Sequence, residues 1–217
     1  KKRKNSKISS FANANLKTIA VRFPQNRIIR KLLFKLKFPL AIPSANLSSA
    51  VSPVCSNDVL DEFGKKLSFI LDGGKCKIGL ESSVINLNKK IQILRPGAIS
   101  AKEISKILRE KVYFSNKSNK VISPGMTKKH YSPGIPIELN CKKMDDKAAC
   151  IVFGKRYKKQ KNIFNLSKKG NLEEAARNLY KTLRKIKKKG FKKIKVVKIP
   201  KSKIGIAIND RLKKAAN

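Results

Sequence analysis

Residues 79–97 read Gly79-Leu80-Glu81-Ser82-Ser83-Val84-Ile85-Asn86-Leu87-Asn88-Lys89-Lys90-Ile91-Gln92-Ile93-Leu94-Arg95-Pro96-Gly97. Two apolar runs, 84–87 and 91–94, flank a polar Asn-Lys-Lys turn, and this pattern predicts a hairpin. The polar residues collect at the ends of its strands. Glu81, Ser82 and Ser83 precede the first strand; Arg95 closes the second and is followed by Pro96-Gly97. Hydroxyls, glycines and one arginine at strand ends are the parts needed to hold a phosphate and a small polar substrate.

The same alternation of apolar run and polar turn extends outward. Arg22 ends a β-prone run at 18–21. Residues 26–37 place Ile28, Ile29, Leu32, Leu33 and Leu36 at helical spacing. An apolar strand is expected at 40–42, stopping at Pro43-Ser44-Ala45-Asn46. Ser52-Pro53 precedes a short helix at 56–63, capped by Ser56 or Asn57. A buried strand is expected at 67–71, closed by Asp72-Gly73-Gly74. Ser100 and Glu103 have capping-box spacing and open a further helix through Ile104, Ile107 and Leu108.

Residues 113–136 lack periodicity and read as a linker, although Ser123-Pro124-Gly125-Met126 and His130-Tyr131-Ser132-Pro133 are too particular for a plain spacer. Beyond it come a strand at 148–153, a helix capped by Asn171 with an apolar face from Leu172 to Ile186, a strand at 194–199 and a last helix through Ile208, Leu212 and Ala215. Strand, helix, strand, helix favours a small parallel α/β unit. The expected fold class is α/β: a twisted mixed sheet, then a Rossmann-like parallel α/β unit, divided as 1–112, linker 113–138 and 139–217.

Composition narrows the function classes. The 217 residues carry a formal charge of +40 from 53 basic and 13 acidic residues, and the C-terminal part is the more densely basic. A polyanion partner explains this, as does a lysine-rich codon bias. Lysine outnumbers arginine and aromatics are 6%, which weakens a dedicated RNA-reading surface. No apolar run has the length of a membrane span, and the first residues are too polar for a secretory signal. The chain does not begin with Met, and a fragment or processed form is expected. Cys55, Cys76, Cys141 and Cys150 fit neither zinc nor redox spacing and read as idle thiols in a reducing cytosol.

Singly, each polar residue has a bland alternative. Arg22 can grip a carboxylate or form a surface ion pair. Ser44 and Asn46 can face a cleft or cap a turn. Ser52 can guide a phosphate to a helix N-terminus or simply cap it. Glu81 can be a base or a metal ligand, but in so basic a chain an ion pair is the default. Arg95 is expected to point into the same region as Ser82. His130, the only histidine, has no partner that spacing identifies.

In order, the motifs are more specific. Thr18-Ile19-Ala20-Val21-Arg22-Phe23-Pro24, Pro39-Leu40-Ala41-Ile42-Pro43-Ser44-Ala45-Asn46, Ser52-Pro53, Ile70-Leu71-Asp72-Gly73-Gly74, Gly79-Leu80-Glu81-Ser82-Ser83-Val84 and Leu94-Arg95-Pro96-Gly97 resemble the YrdC family. The Ser-Pro-Gly-Met and His-Tyr-Ser-Pro segments, with 205–212, resemble its long two-domain form. The resemblance implies an L-threonylcarbamoyladenylate synthase reaction: L-threonine, bicarbonate and ATP give threonylcarbamoyl-AMP and pyrophosphate, with Mg²⁺ bound with ATP. The product would feed threonylcarbamoyladenosine modification beside the anticodon of tRNA through a separate tRNA threonylcarbamoyl transferase in the cytoplasm. The resemblance further implies that Thr18, Ser44, Ser52, Arg95 and Tyr131 contact ATP, that Arg22, Ile42 and Ser82 hold threonine, and that the linker lies over the active site. It implies no particular catalytic side chain.

Departures from the family pattern are Ser49 in place of the usual Gly, and Val54 and Ser83 in place of Thr. The family's N-terminal Lys/Arg motif has no counterpart, so these 217 residues alone are expected to be inactive or weak. A tRNA- or double-stranded-RNA-binding module without catalysis is the competing expectation. A carbamoyl-transfer domain of the hydrogenase-maturation type is disfavoured by the linker and by Asn209-Asp210-Arg211.

Overall fold

The computed structural model describes residues 8–88, 90–115 and 130–217. Helix α1, Arg27–Leu36, is opened by the Asn26 side chain, which accepts from the Ile28 and Ile29 amides at 2.9 and 3.2 Å. Helix α2, Ser56–Phe63, begins after Cys55 without a side-chain cap, whereas Ser56 or Asn57 was the expected one. Asp58 serves the chain just ahead instead, accepting from the Val54 amide at 2.8 Å.

The hairpin forms as strands β1, Val84–Asn86, and β2, Gln92–Arg95, antiparallel with an irregularity at Val84/Ile85. Strand β3, Tyr113–Phe114, adds parallel to β2, so this sheet is mixed. Helix α3, Ala101–Leu108, carries the complete Ser100–Glu103 capping box.

Three expected strands are absent. Residues 18–21, 40–42 and 67–71 are irregular, with Val21 at 86%, Ile42 at 65% and Phe69 at 81% exposure. Apolar, β-prone composition suits a strand, but a strand exists only where another backbone completes its ladder. Among the described residues none forms a ladder with these three.

The second sheet has the order β4-β7-β5-β6, all parallel: β4 is Ile137–Leu139, β5 Ala149–Val152, β6 Ile163–Asn165 and β7 Ile194–Val196. β5 is buried at every position, as expected of a central strand in a covered parallel sheet. Helix α4, Leu172–Lys188, starts where Asn171 accepts from the Glu174 amide at 2.8 Å; α5, Gly205–Ala216, ends the chain. Ala175, Ala176, Leu179, Leu183 and Ile186 of α4 meet Ala207, Ile208 and Leu212 of α5 and the apolar side chains of this sheet in one core. Each fully buried Leu or Ile there contributes about 1.5–3 kcal/mol. Both ends of the 113–138 segment are therefore pinned, by β3 in one sheet and β4 in the other. The Ser123–Met126 segment, at 123–126, lies outside the described residues.

Candidate functional site

Glu81 sits between the turn at Gly79 and strand β1, and its carboxylate is the hub of the contacts between the two sheets. Ser52 donates to Oε1 at 2.6 Å, and Tyr180 of α4 donates to the same carboxylate at 2.9 and 3.1 Å. Arg211 of α5 donates through Nε to Oε2 at 2.8 Å and through a terminal nitrogen to the Pro96 carbonyl at 2.8 Å. The Arg211 side chain is 0% exposed and also pairs with Asp210 at 2.7 Å. Burial pushes the Glu81 carboxyl up, but the Arg211 charge and the Ser52 hydroxyl outweigh it and hold the group below its ordinary range. The same burial disfavours the Arg211 charge, and Glu81 more than compensates. A half-buried carboxylate with its lone pairs this fully used is no general base. It is the ion pair expected by default, and α5 supplies the cation.

Around this hub lie four of the candidate residues. Ser82 follows Glu81, and Arg95 at the end of β2 donates through Nε to the Ser82 carbonyl at 3.1 Å, with a terminal nitrogen 3.5 Å from its hydroxyl. Arg95 and Ser82 thus face one region, as their strand-end positions imply. Ser52 is buried, and its proton is committed to Glu81. Tyr131 is 1% exposed, its ring 5.3 Å from the Arg211 guanidinium and stacked at 5.8 Å on Tyr180.

Backbone bonds clamp this linker segment from both sides. The Ser132 amide donates to the Ser49 carbonyl at 2.9 Å and the His130 amide to the Lys214 carbonyl at 3.1 Å. The Tyr131 hydroxyl is buried and makes no hydrogen bond of ordinary geometry among the described residues, although Arg95 lies near enough to act on it. Burial and the Glu81 charge push its pKa up, while Arg211 and Arg95 oppose them. The His130 ring lies against the Tyr131 ring at 3.9 Å, and its Nδ1 is also buried without a partner.

The other four candidates lie apart. Thr18 is half-buried and its carbonyl accepts from Asn13; Arg22, Ile42 and Ser44 are exposed. Among the described residues no hydrogen bond joins their side chains to the Glu81 hub. The Arg22 charge reaches Cys76, where it opposes burial, Cys55 and Asp58, which push that thiol up.

Sequence reasoning missed Arg211 and Tyr180. A buried acid needs a cation, but with 53 basic residues spacing cannot select one. Tyr180 stands on the apolar face of α4 beside Leu179, where only its hydroxyl signals a polar contact. Two further ion pairs staple α4 to α2: Arg184 with Glu62 at 2.7 Å and Lys188 with Asp61 at 2.5 Å. Arg184 also donates to the Val51 carbonyl at 2.5 Å.

Comparison with known proteins agrees with this architecture. A family model described as "Telomere recombination" matches residues 1–97, and one described as "Threonylcarbamoyl-AMP synthase, C-terminal domain" matches 99–217. A threonylcarbamoyl-AMP synthase of Pyrococcus abyssi is 30% identical across 98% of this chain and 68% of its own. That of Schizosaccharomyces pombe is 33% identical across 98% of this chain and 60% of its own. The crystal structure of P. abyssi Sua5 complexed with L-threonine superposes with a TM-score of 0.84 at 30% identity, covering 96% of this chain and 67% of that one. This chain therefore spans about three fifths to two thirds of the length of these relatives. With both of its parts matched in order, the chain belongs to the YrdC family in its two-domain form, that of the threonylcarbamoyl-AMP synthases.

Proposed function

We propose that the full-length protein is an L-threonylcarbamoyladenylate synthase, a nucleotidyltransferase that joins threonine, bicarbonate and ATP into threonylcarbamoyl-AMP and releases pyrophosphate. The observation that carries this reading is the convergence of Ser82, Arg95 and the linker residue Tyr131 on one hub, in a chain similar to a relative whose structure contains L-threonine. Threonine's amine and bicarbonate form a carbamate with loss of water. A carbamate oxygen then attacks the α-phosphorus, and pyrophosphate leaves.

Such a reaction needs positioning and charge neutralisation rather than a protein nucleophile. Arg95 suits the phosphates and Arg22 the threonine carboxylate, through paired N–H donors. Ile42 and Ser82 complete the threonine side, and Thr18 and Ser44 the ATP side. Ser52, whose proton is held by Glu81, meets the nucleotide as an acceptor, which fits a ribose hydroxyl or a base N–H and not a phosphate oxygen. Tyr131 brings its hydroxyl, beside Arg95, to the nucleotide as part of a linker lid.

Mg²⁺ would arrive with the ATP phosphates. Among the described residues no group of three His, Cys, Asp or Glu gathers to hold a metal, and Glu81 is fully engaged. These donors do not fit a protein-held metal, which leaves the ATP phosphates to hold Mg²⁺.

Division at 1–112, 113–138 and 139–217 is part of the same reading, as is a cytoplasmic protein handing its product to a tRNA threonylcarbamoyl transferase. No helix among the described residues is long and apolar enough to cross a membrane. The unladdered runs at 18–21, 40–42 and 67–71 suit a sheet completed by the part of the family that has no counterpart here, so the 217 residues alone turn over weakly or not at all.

ATP titration of the full-length protein tests the site: Arg95→Ala weakens binding about tenfold or more, as loss of a charged donor pair does. Unchanged affinity would remove Arg95 from the nucleotide site, and robust pyrophosphate release by the 217 residues would refute the dependence on further chain. The +40 charge favours a second reading, tRNA or double-stranded RNA binding without catalysis, which predicts steeply salt-dependent RNA affinity indifferent to threonine.

A further inference from the structure

Arg211 stands on the last helix, far in sequence from every strand-end turn, yet it touches three of the parts that make the site. Its Nε holds the Glu81 carboxylate at 2.8 Å, beside Ser82. One terminal nitrogen holds the Pro96 carbonyl at 2.8 Å, beside Arg95, and the other lies 3.4 Å from the Glu81 carbonyl. Its flat guanidinium lies 5.3 Å from the centre of the Tyr131 ring. The turn before β1, the turn after β2 and the linker aromatic therefore share one rigid, fully buried anchor. The anchor belongs to the C-terminal unit, so seating of α5 and geometry of the strand-end turns are one event. Tyr131 needs such support because its backbone has φ +62°, a left-handed conformation that is unfavourable for a tyrosine.

We propose that Arg211 is a positioning residue: it locks Tyr131 and the Ser82 and Arg95 turns into a single arrangement, so that the C-terminal unit sets the geometry of the nucleotide site. Its consequence for nucleotide rests on the synthase reading; the locking itself does not. Lysine cannot replace it, because one ammonium nitrogen lacks the planar fork that spans the Glu81 carboxylate and the Pro96 carbonyl and offers no flat face to the ring.

Amide hydrogen exchange on the full-length protein separates locking from mere folding. In Arg211→Lys, and in Glu81→Gln/Arg211→Met, which removes both buried charges together, the Ser132 amide exchanges about tenfold faster or more, while Leu179 and Leu183 in α4 keep wild-type protection. ATP affinity falls about tenfold or more in the same variants. Equal acceleration of the α4 amides would make Arg211 a general stability residue, and unchanged Ser132 exchange would remove the lock; either overturns the proposal. Wild-type protein that fails to bind ATP would sink the synthase reading, while the exchange measurement still decides the lock.

Discussion

Arg211 and Glu81, 130 residues apart, face each other with Nε 2.8 Å from Oε2, and neither charge has access to bulk solvent comparable to a surface pair. The value of such a pair lies in its completeness. Desolvation costs both ions heavily, and the interior repays this only while every donor and acceptor is matched.

Removing one partner should therefore hurt more than removing both. Glu81→Ala leaves Arg211 Nε, the Ser52 hydroxyl and the Tyr180 hydroxyl without their acceptor, with Asp210 alone to balance the buried guanidinium, and should cost about 3 kcal/mol. Glu81→Leu/Arg211→Met should recover a large share of that loss. Urea midpoints of the three proteins check the ordering; a double variant less stable than Glu81→Ala would contradict it.

Ser49 sits at φ +64°, in the left-handed region, and its carbonyl receives the Ser132 amide. A non-glycine residue pays about 1–2 kcal/mol for that conformation, against about 0.5–1 kcal/mol of extra chain entropy lost by glycine. Ser49→Gly should thus raise stability by a few tenths to about 1 kcal/mol. A clear loss in a thermal melt would show that the serine side chain contributes more than its backbone strain.

Gly79 presents the opposite case. Its φ is +79°, and a Cβ there would lie 2.5 Å from the Arg177 Cα and 2.8 Å from the Ala176 carbonyl oxygen, both in α4. Backbone cannot yield as a flexible side chain does. Gly79→Ala should cost more than the roughly 1–2 kcal/mol of the conformation alone. Gly190→Ala, at φ +75° just past α4 with open space around it, should cost no more than that conformational share. Equal losses in a denaturant titration would contradict the close approach to α4.

His130 makes stability depend on pH. Burial is the largest influence on its ring and lowers its pKa below the ordinary 6.5; Lys214, Arg95 and Arg211 act in the same direction, and Glu81 opposes them. The unfolded chain then binds the proton more readily than the folded one. The contribution is complete above 6.5 and is lost as pH falls from there through the folded value. Urea midpoints between about pH 5 and pH 8 should rise with pH, more steeply than those of His130→Gln. Identical slopes would mean that the ring titrates as freely folded as unfolded.

How much of this was legible in the sequence differs by element. The hairpin, α1, the capping box and α4 are local in origin, each specified by spacing or a cap within a few residues, and all four form. The runs at 18–21, 40–42 and 67–71 were misread because strand character is only half local; the ladder partner is not encoded in the run itself. The Arg95–Ser82 proximity followed from two strand ends of one hairpin. The Arg211–Glu81 bond did not, since it depends on how two sheets dock, and a chain with 53 basic residues offers no unique partner.

The most direct test is pyrophosphate release by the full-length protein supplied with ATP and Mg²⁺. The account predicts release that requires both L-threonine and bicarbonate and that Arg95→Ala abolishes or strongly reduces. Absence of release under these conditions, or release indifferent to threonine, would contradict it.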